Sequence, residues 1–247
     1  METTKGKYYL DDMYTPERKK LHEKIIAHFL SVCVEDAQTP DSLLLGGGSA
    51  VGKSTISTLF LDSYKENGEP ITHIDADKIK EHLPEYKEMI ESESEDIKAK
   101  AAFYVHDESS DIAEELLQIC IQKRHNFMYD GTMKNAEKYE RIIERLKGAN
   151  FKITAIIVDI PLQLALERAQ KRYEIEGRMV PGHIIEESHM KVADTFSRIK
   201  NEVDSYIMYD NTKKPPVMFT YKPSKDQPEM VMDQERLDEF YSKSSLT

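Results

Sequence analysis

Long apolar runs are missing from this sequence. None approaches the roughly 18 residues that a membrane-crossing helix needs, so no membrane association is expected. The opening stretch, METTKGKYYLDDMYTPERKK, lacks the apolar centre of a secretion signal, and the expected location is cytoplasmic. Cysteine is scarce too. Cys33 and Cys120 sit in helix-like apolar patterns and read as core thiols in a reducing compartment. A basic surplus is also lacking: 34 Lys and Arg stand against 45 Asp and Glu, a formal net charge of −11. Nucleic acid is bound by basic surfaces that displace counterions, so no nucleic-acid partner is expected, although a locally basic active site is compatible with this balance. The histidines are scattered, without zinc-ligand spacing. No repeat, low-complexity tract or convincing linker interrupts the 247 residues, which are expected to form one domain.

What is present is an alternation of strand and helix patterns. An N-terminal helical extension runs to about residue 40, where Pro16 precedes a face made of Leu21, Ile25, Phe29 and Cys33. LLLGGG reads as a buried strand, STISTLFLDSYKENG as a helix closed by Asn67-Gly68, and PITHID as a second strand. The charge-rich segment PEYKEMIESESEDIKAKAAFYVHDE reads as a solvated helical excursion. SDIAEELLQICIQKR is helical, with Ser109 or Ser110 as its expected N-cap. NFMYDGT, KITAIIVDIP and SYIMYDN read as further strands. Between them lie helices in NAEKYERIIERLKGAN, in LQLALERAQKRYEIEGR to about Glu174, and in HIIEESHMKVADTFSRIKNEV. The tail from Lys213, with Pro215, Pro216, Pro223 and Pro228, is expected to be extended and partly ordered. Apolar strands alternating with helices predict an α/β fold, a parallel central sheet of about five strands covered by helices on both faces.

GGGSAVGKST contains Gly47-x4-Gly52-Lys53-Ser54, a phosphate-loop pattern between a strand and a helix. Glycines let the backbone wrap a phosphate with its N–H groups inward, a lysine reaches the β- and γ-phosphates, and the following hydroxyl ligates Mg²⁺. The expected nucleotide site is Gly47, Gly48, Ser49, Ala50, Val51, Gly52, Lys53, Ser54 and Thr55, with ATP as phosphoryl donor. This places the chain with the P-loop NTPases and kinases. A glycine-rich turn with a chance lysine is the bland alternative.

In open α/β sheets ligands bind at the carboxyl ends of the strands. Asp75 and Asp77 follow the second strand and belong at that edge. Asp75 is assigned to the outer shell of Mg²⁺, with Ser54 as the other metal residue, and Asp77 to accepting the proton of an attacking hydroxyl. Two readings compete: Asp77 as a plain helix cap, and an Asp-x-Asp pair of metal-dependent glycosyl transfer. After the third strand, Asp130 and Thr132 can hydrogen-bond a polyhydroxy substrate beside Gly131 and Lys134; an Asp-Gly turn is the competing reading. Asp159 ends the fourth strand without an assigned role. Arg168 and Arg172 share a helix face and Arg178 follows a break, so Arg172 and Arg178 form an arginine-bearing lid, against a solvated basic helix as the alternative. His106, Glu108 and Ser109 fit an acceptor pocket if their helix points its N-terminus at the site. The adenine pocket is expected near Tyr209 to Thr212.

Taken together, GGGSAVGKST, IDADKIKEHLPEY, DGTMK and ERAQKRYEIEGR resemble the zeta-toxin family of P-loop small-molecule kinases, over roughly Leu43 to Arg178 with a weaker echo in YIMYDN. The resemblance implies transfer of the γ-phosphate of ATP to the sugar 3′-hydroxyl of UDP-N-acetylglucosamine. It also implies that Lys53 is the phosphate lysine, Asp77 the general base, Arg172 and Arg178 the lid arginines, and that Glu114, Asp130 and Thr132 contact the sugar nucleotide. Asp130 and Lys134 stand where the toxins typically carry a glutamate and an arginine, and the lid is shorter. The family includes toxins paired with antitoxins; the sequence itself points to no protein partner. The leading function is therefore an ATP-dependent kinase acting on a small-molecule hydroxyl, with UDP-sugars as the acceptors to test. A nucleotide-binding switch or inactive relative has no need of Lys53, Ser54, Asp77 and two lid arginines together. A nucleic-acid 5′-kinase is disfavoured by the acidic balance.

Overall fold

The structure is a computed structural model that describes residues 2–30, 39–176 and 180–245. In chain order the N-terminal part contains α1 (Thr4–Tyr8), β1 (Tyr9–Leu10), β2 (Met13–Tyr14) and α2 (Pro16–Leu30). The next part contains β3 (Asp41–Gly46), α3 (Lys53–Glu66), β4 (Thr72–Asp75), α4 (Ala76–Lys80), α5 (Pro84–Ile90), α6 (Glu95–Tyr104) and α7 (His106–Lys123). Then come β5 (Phe127–Asp130), α8 (Ala136–Gly148), β6 (Lys152–Asp159), α9 (Leu162–Glu176) and α10 (Gly182–Ile199). The chain closes with β7 (Ser205–Asp210), β8 (Val217–Lys222), β9 (Met230–Val231) and α11 (Gln234–Ser242).

The described residues build a central sheet in the order β4-β5-β3-β6-β7-β8-β9. From β4 to β7 every neighbour is parallel, as the apolar, helix-separated strands predict. Alternation along each strand sends side chains to opposite faces. Leu44, Ile153, Ala155 and Ile157 enter the core beneath α7, α8 and α10, whereas Leu43, Leu45, Ile156 and Val158 enter the core beneath α3 and α9. Helices therefore cover both faces, and all the parallel strands deliver their carboxyl ends to one edge.

Two expectations need correction. The tail is structured: β8 runs antiparallel to β7, β9 antiparallel to β8, and α11 buries Leu237 and Phe240. Pro215 and Pro216 fall between β7 and β8, where no ladder N–H is required. The five parallel strands are those expected, and β8 and β9 extend the sheet to seven. Helix α7 starts at His106 after Val105, and Ser109 and Ser110 lie inside it, both donating their hydroxyls to the His106 carbonyl at 2.8 and 2.9 Å. Among the described residues no helix is long and apolar enough to cross a membrane.

Candidate active site

Between β3 and α3 the chain turns through Gly47 to Gly52. Ala50 and Gly52 have φ of +63° and +79°, the left-handed region in which glycine is unstrained. Gly52 is the N-cap of α3, so Lys53, Ser54 and Thr55 form the first helical turn; Thr55 N–H donates to the Gly52 carbonyl at 3.1 Å, and the N–H groups of Lys53 and Ser54 have no partner within the helix. Lys53 is half-buried and Ser54 exposed. Gly48 leaves room for a ring: a Cβ there would lie 2.4 Å from Cδ2 of His189.

The loop is held from outside. Ser49 N–H donates to Ser188 Oγ at 2.8 Å, and His189 Nε2 donates to the Ser49 carbonyl at 3.1 Å. Asn211 Nδ2 donates to the carbonyls of Val51 and Gly52 at 2.7 and 3.3 Å. Arg168 Nη2 donates to the Asn211 carbonyl at 2.8 Å. Asn211 thus braces the phosphate loop, while the neighbouring Tyr209 meets Phe60 of α3 edge-on.

Parallel register puts Asp75 opposite Asp130 and Asp130 opposite Leu45, one strand from the loop. Asp75 Oδ1 accepts from Asp77 N–H at 2.8 Å, so Asp75 is the cap of α4 and the cap reading of Asp77 falls. Burial, then the Asp130 charge, pushes the Asp75 carboxyl above its ordinary value. His73 Nε2 lies 3.6 Å from Asp130 Oδ2, and His73, Asp75 and Asp130 offer ligand atoms within 4.8 Å of one another. Two hard carboxylates beside the phosphate loop suit a divalent cation such as Mg²⁺. The Asp77 carboxylate projects outward, 74% exposed, with Lys80 Nζ at 2.6 Å from Oδ1; Lys80 itself is 5% exposed.

Thr132 and Lys134 line a cavity of about 640 Å³ between the β5–α8 loop and α10, together with Lys138, Lys191 and Arg198. Burial, then Lys191, holds the Lys134 ammonium below its ordinary value, with Lys53 adding to the effect. Glu137, Glu187 and Asp194 share this lining, so the hollow is mixed in charge.

The other predicted acceptor residues go elsewhere. Glu108 is fully buried and accepts from Arg18 Nε and Nη2 at 2.5 and 2.9 Å, with His22 Nε2 at 2.7 Å. Ser109 is fully buried and spends its hydroxyl on the His106 carbonyl. Both expectations are corrected: with α7 beginning at His106, these two positions turn inward, Glu108 towards α2. Burial, then Lys80, keeps the His106 imidazole below its ordinary value. Glu114 pairs with Arg145 at 3.2 Å and Lys138 at 3.6 Å, on the flank of the hollow. Arg172 lies exposed on α9, and Arg178 falls outside the described residues. Sequence reasoning missed Arg18, Ser188 and His189, and it set Asn211 in the stretch of the adenine pocket rather than against the loop. A signal existed for two of them: Ser188 and His189 interrupt the apolar stripe of Ile185, Val192 and Phe196, where a polar pair needs a partner.

The Zeta toxin family matches residues 26–218. Toxin PezT of Streptococcus pneumoniae is 24% identical over 140 residues, covering 57% of this chain and 53% of the toxin. A calmodulin calcium-dependent NAD kinase of Arabidopsis thaliana is 29% identical over 123 residues, covering 49% of this chain and 23% of the plant protein. The matches therefore span about half, or less, of the length of these relatives. Among solved structures, the complex AvrRxo1-ORF1:AvrRxo1-ORF2 with sulphate ions aligns at TM-score 0.74 and 19% identity, over 98% of this chain and 83% of that one. The PezAT toxin–antitoxin system of Streptococcus pneumoniae aligns at TM-score 0.65 and 17% identity, over 84% and 82%. These structural likenesses show the shared fold.

Proposed function

Because this chain belongs to the zeta toxin family of P-loop kinases, we propose that it transfers the γ-phosphate of ATP to a hydroxyl of a small molecule carrying a sugar and a diphosphate. The observation that carries this reading is the phosphate loop opening α3 at the same sheet edge as the registered pair Asp75 and Asp130. In this reading the loop N–H groups and Lys53 take the β- and γ-phosphates. Ser54 and Asp75 would hold Mg²⁺, which supplies charge neutralisation between the phosphates. Asp77 accepts the proton of the attacking hydroxyl, and Lys80 holds that carboxylate in place. Arg172 and Arg178 are the candidates for stabilising the charge of the transferring phosphoryl group.

The four cations of the hollow, interleaved with Glu137, Glu187 and Asp194, support an acceptor that carries a diphosphate beside hydroxyls. Two acceptors share that chemistry. UDP-N-acetylglucosamine comes from the family resemblance, and NAD⁺ from the likeness to a plant NAD kinase. The partnered relatives, PezAT and the AvrRxo1 pair, extend to this chain the proposal of a protein partner that holds the kinase in check.

Mass spectrometry of the protein incubated with Mg²⁺-ATP and a panel of UDP-sugars and NAD⁺ tests the reading, with Asp77→Asn alongside. A product heavier by one phosphoryl group is expected from wild type only, with ATP binding retained in the variant. Equal turnover by both proteins would remove Asp77 as the base; ATP bound with no acceptor modified would remove the proposed acceptor class.

A further inference from the structure

Asp159 ends β6 and has no part in the transfer just described. Its side chain is 4% exposed, and an isolated carboxylate there would be costly. Lys243 Nζ donates to both of its oxygens, at 2.8 and 2.7 Å, and to the Ile160 carbonyl at 2.8 Å. Arg236 Nη2 adds a contact at 3.1 Å. Burial pushes the Asp159 carboxyl up, and its neighbours His189, Lys243 and Arg236 more than offset this, leaving it below the ordinary range. Arg236 lies in α11 and Lys243 is its C-cap. This helix lies beyond residue 218, where the family match ends.

On the far side of Asp159 stands His189. Its side chain is 1% exposed, with Nδ1 3.8 Å from Asp159 Oδ1 and Nε2 donating to the Ser49 carbonyl. The ring fills the space that Gly48 leaves open, and the preceding Ser188 accepts the Ser49 N–H. Consecutive residues of α10 therefore clasp both backbone groups of Ser49. A glycine-rich loop must lose much backbone freedom to present its N–H groups to a phosphate, and a loop already clasped loses less on binding.

We propose that His189 is a positioning residue for the phosphate loop, and that α11 holds it there through Asp159. The inference rests on the reading that this loop binds a nucleoside triphosphate. It does not depend on which acceptor is used. Contact runs from Lys243 and Arg236 to Asp159, then past His189 to Ser49, so the C-terminal helix bears on nucleotide affinity without touching nucleotide.

Calorimetric titration of the full chain with the Mg²⁺ complex of a non-hydrolysable ATP analogue tests it, with urea unfolding of each variant as a fold control. His189→Leu removes the donor and is expected to weaken binding about tenfold, the loss of one well-made hydrogen bond. His189→Gln, whose amide can donate to the Ser49 carbonyl, is expected to restore most of that affinity. Lys243→Met is expected to weaken binding in the same direction, and His189→Leu/Lys243→Met no further than His189→Leu alone. If His189→Leu does not fold, Lys243→Met decides, because it leaves every contact of the loop itself in place. Wild-type affinity in folded His189→Leu or in Lys243→Met overturns the inference while leaving the kinase reading intact. Absence of nucleotide binding by wild type removes both.

Discussion

Glu108 is held between α7 and α2 by Arg18 and His22, and Arg18 reaches on to Glu85 through Nη1 and Nη2 at 2.9 and 2.8 Å. Burial alone would raise the Glu108 carboxyl; the hydrogen bonds from His22 and Arg18 outweigh it and bring the value down to about 2. A carboxyl lowered on folding contributes stability above its unfolded value, which is lost as pH falls through the folded value. The window here runs from about pH 4.5 down to about pH 2. Glu108→Gln should cost about 3 kcal/mol at pH 7 and flatten the fall in stability across that window. Urea midpoints for both proteins at pH 7 and pH 3 check this; parallel pH profiles would refute it. The sequence shows the glutamate but not its partners, since Arg18 lies 90 residues away.

At the scale of elements, local chemistry was readable wherever a helix carries its own signals. Helix α8 buries Tyr139, Ile142, Ile143 and Leu146, the spacing of one helical face, and Asn135 Oδ1 accepts Lys138 N–H at 2.9 Å. Asn135→Ala should lower stability by about 1 kcal/mol, read as a shift in urea midpoint with an unchanged slope, while Asn135→Asp should behave as wild type. Equal midpoints for all three would show that α8 is held by packing alone. Helix α7 shows the opposite case. Val105 offers no side-chain cap, α7 follows α6 almost without a break, and the serines that resemble caps lie within the helix. A cap motif ranks candidates within a few residues; the direction of the preceding chain chooses among them.

At the scale of the molecule, the tail closes the core on the face of α10. Phe240 is 1% exposed and packs edge-on against Phe196, ring centres 5.9 Å apart. Phe240→Ala should cost about 3–5 kcal/mol, measured by urea unfolding; a loss below about 1 kcal/mol would mean that the tail adds little to this core. The proline-rich composition concealed this role. Prolines in the turn leave Val217–Lys222 free to pair with β7, and a short antiparallel strand after a parallel sheet has no strong periodic signature.

The sequence by itself determined the strand–helix alternation, the phosphate loop and the arrival of Asp75 and Asp130 at its edge. Each follows from a contiguous stretch whose backbone preferences and apolar spacing act over a few residues. Tertiary structure alone decided that Glu108 and Ser109 turn inward, and that His189, Asn211 and Lys243 serve the loop and its edge. His189 lies 140 residues from Ser49 and Lys243 84 residues from Asp159, and such pairs are chosen only when packing of the helices against the sheet brings them together. Local chemistry writes the loop; the closed core selects what holds it.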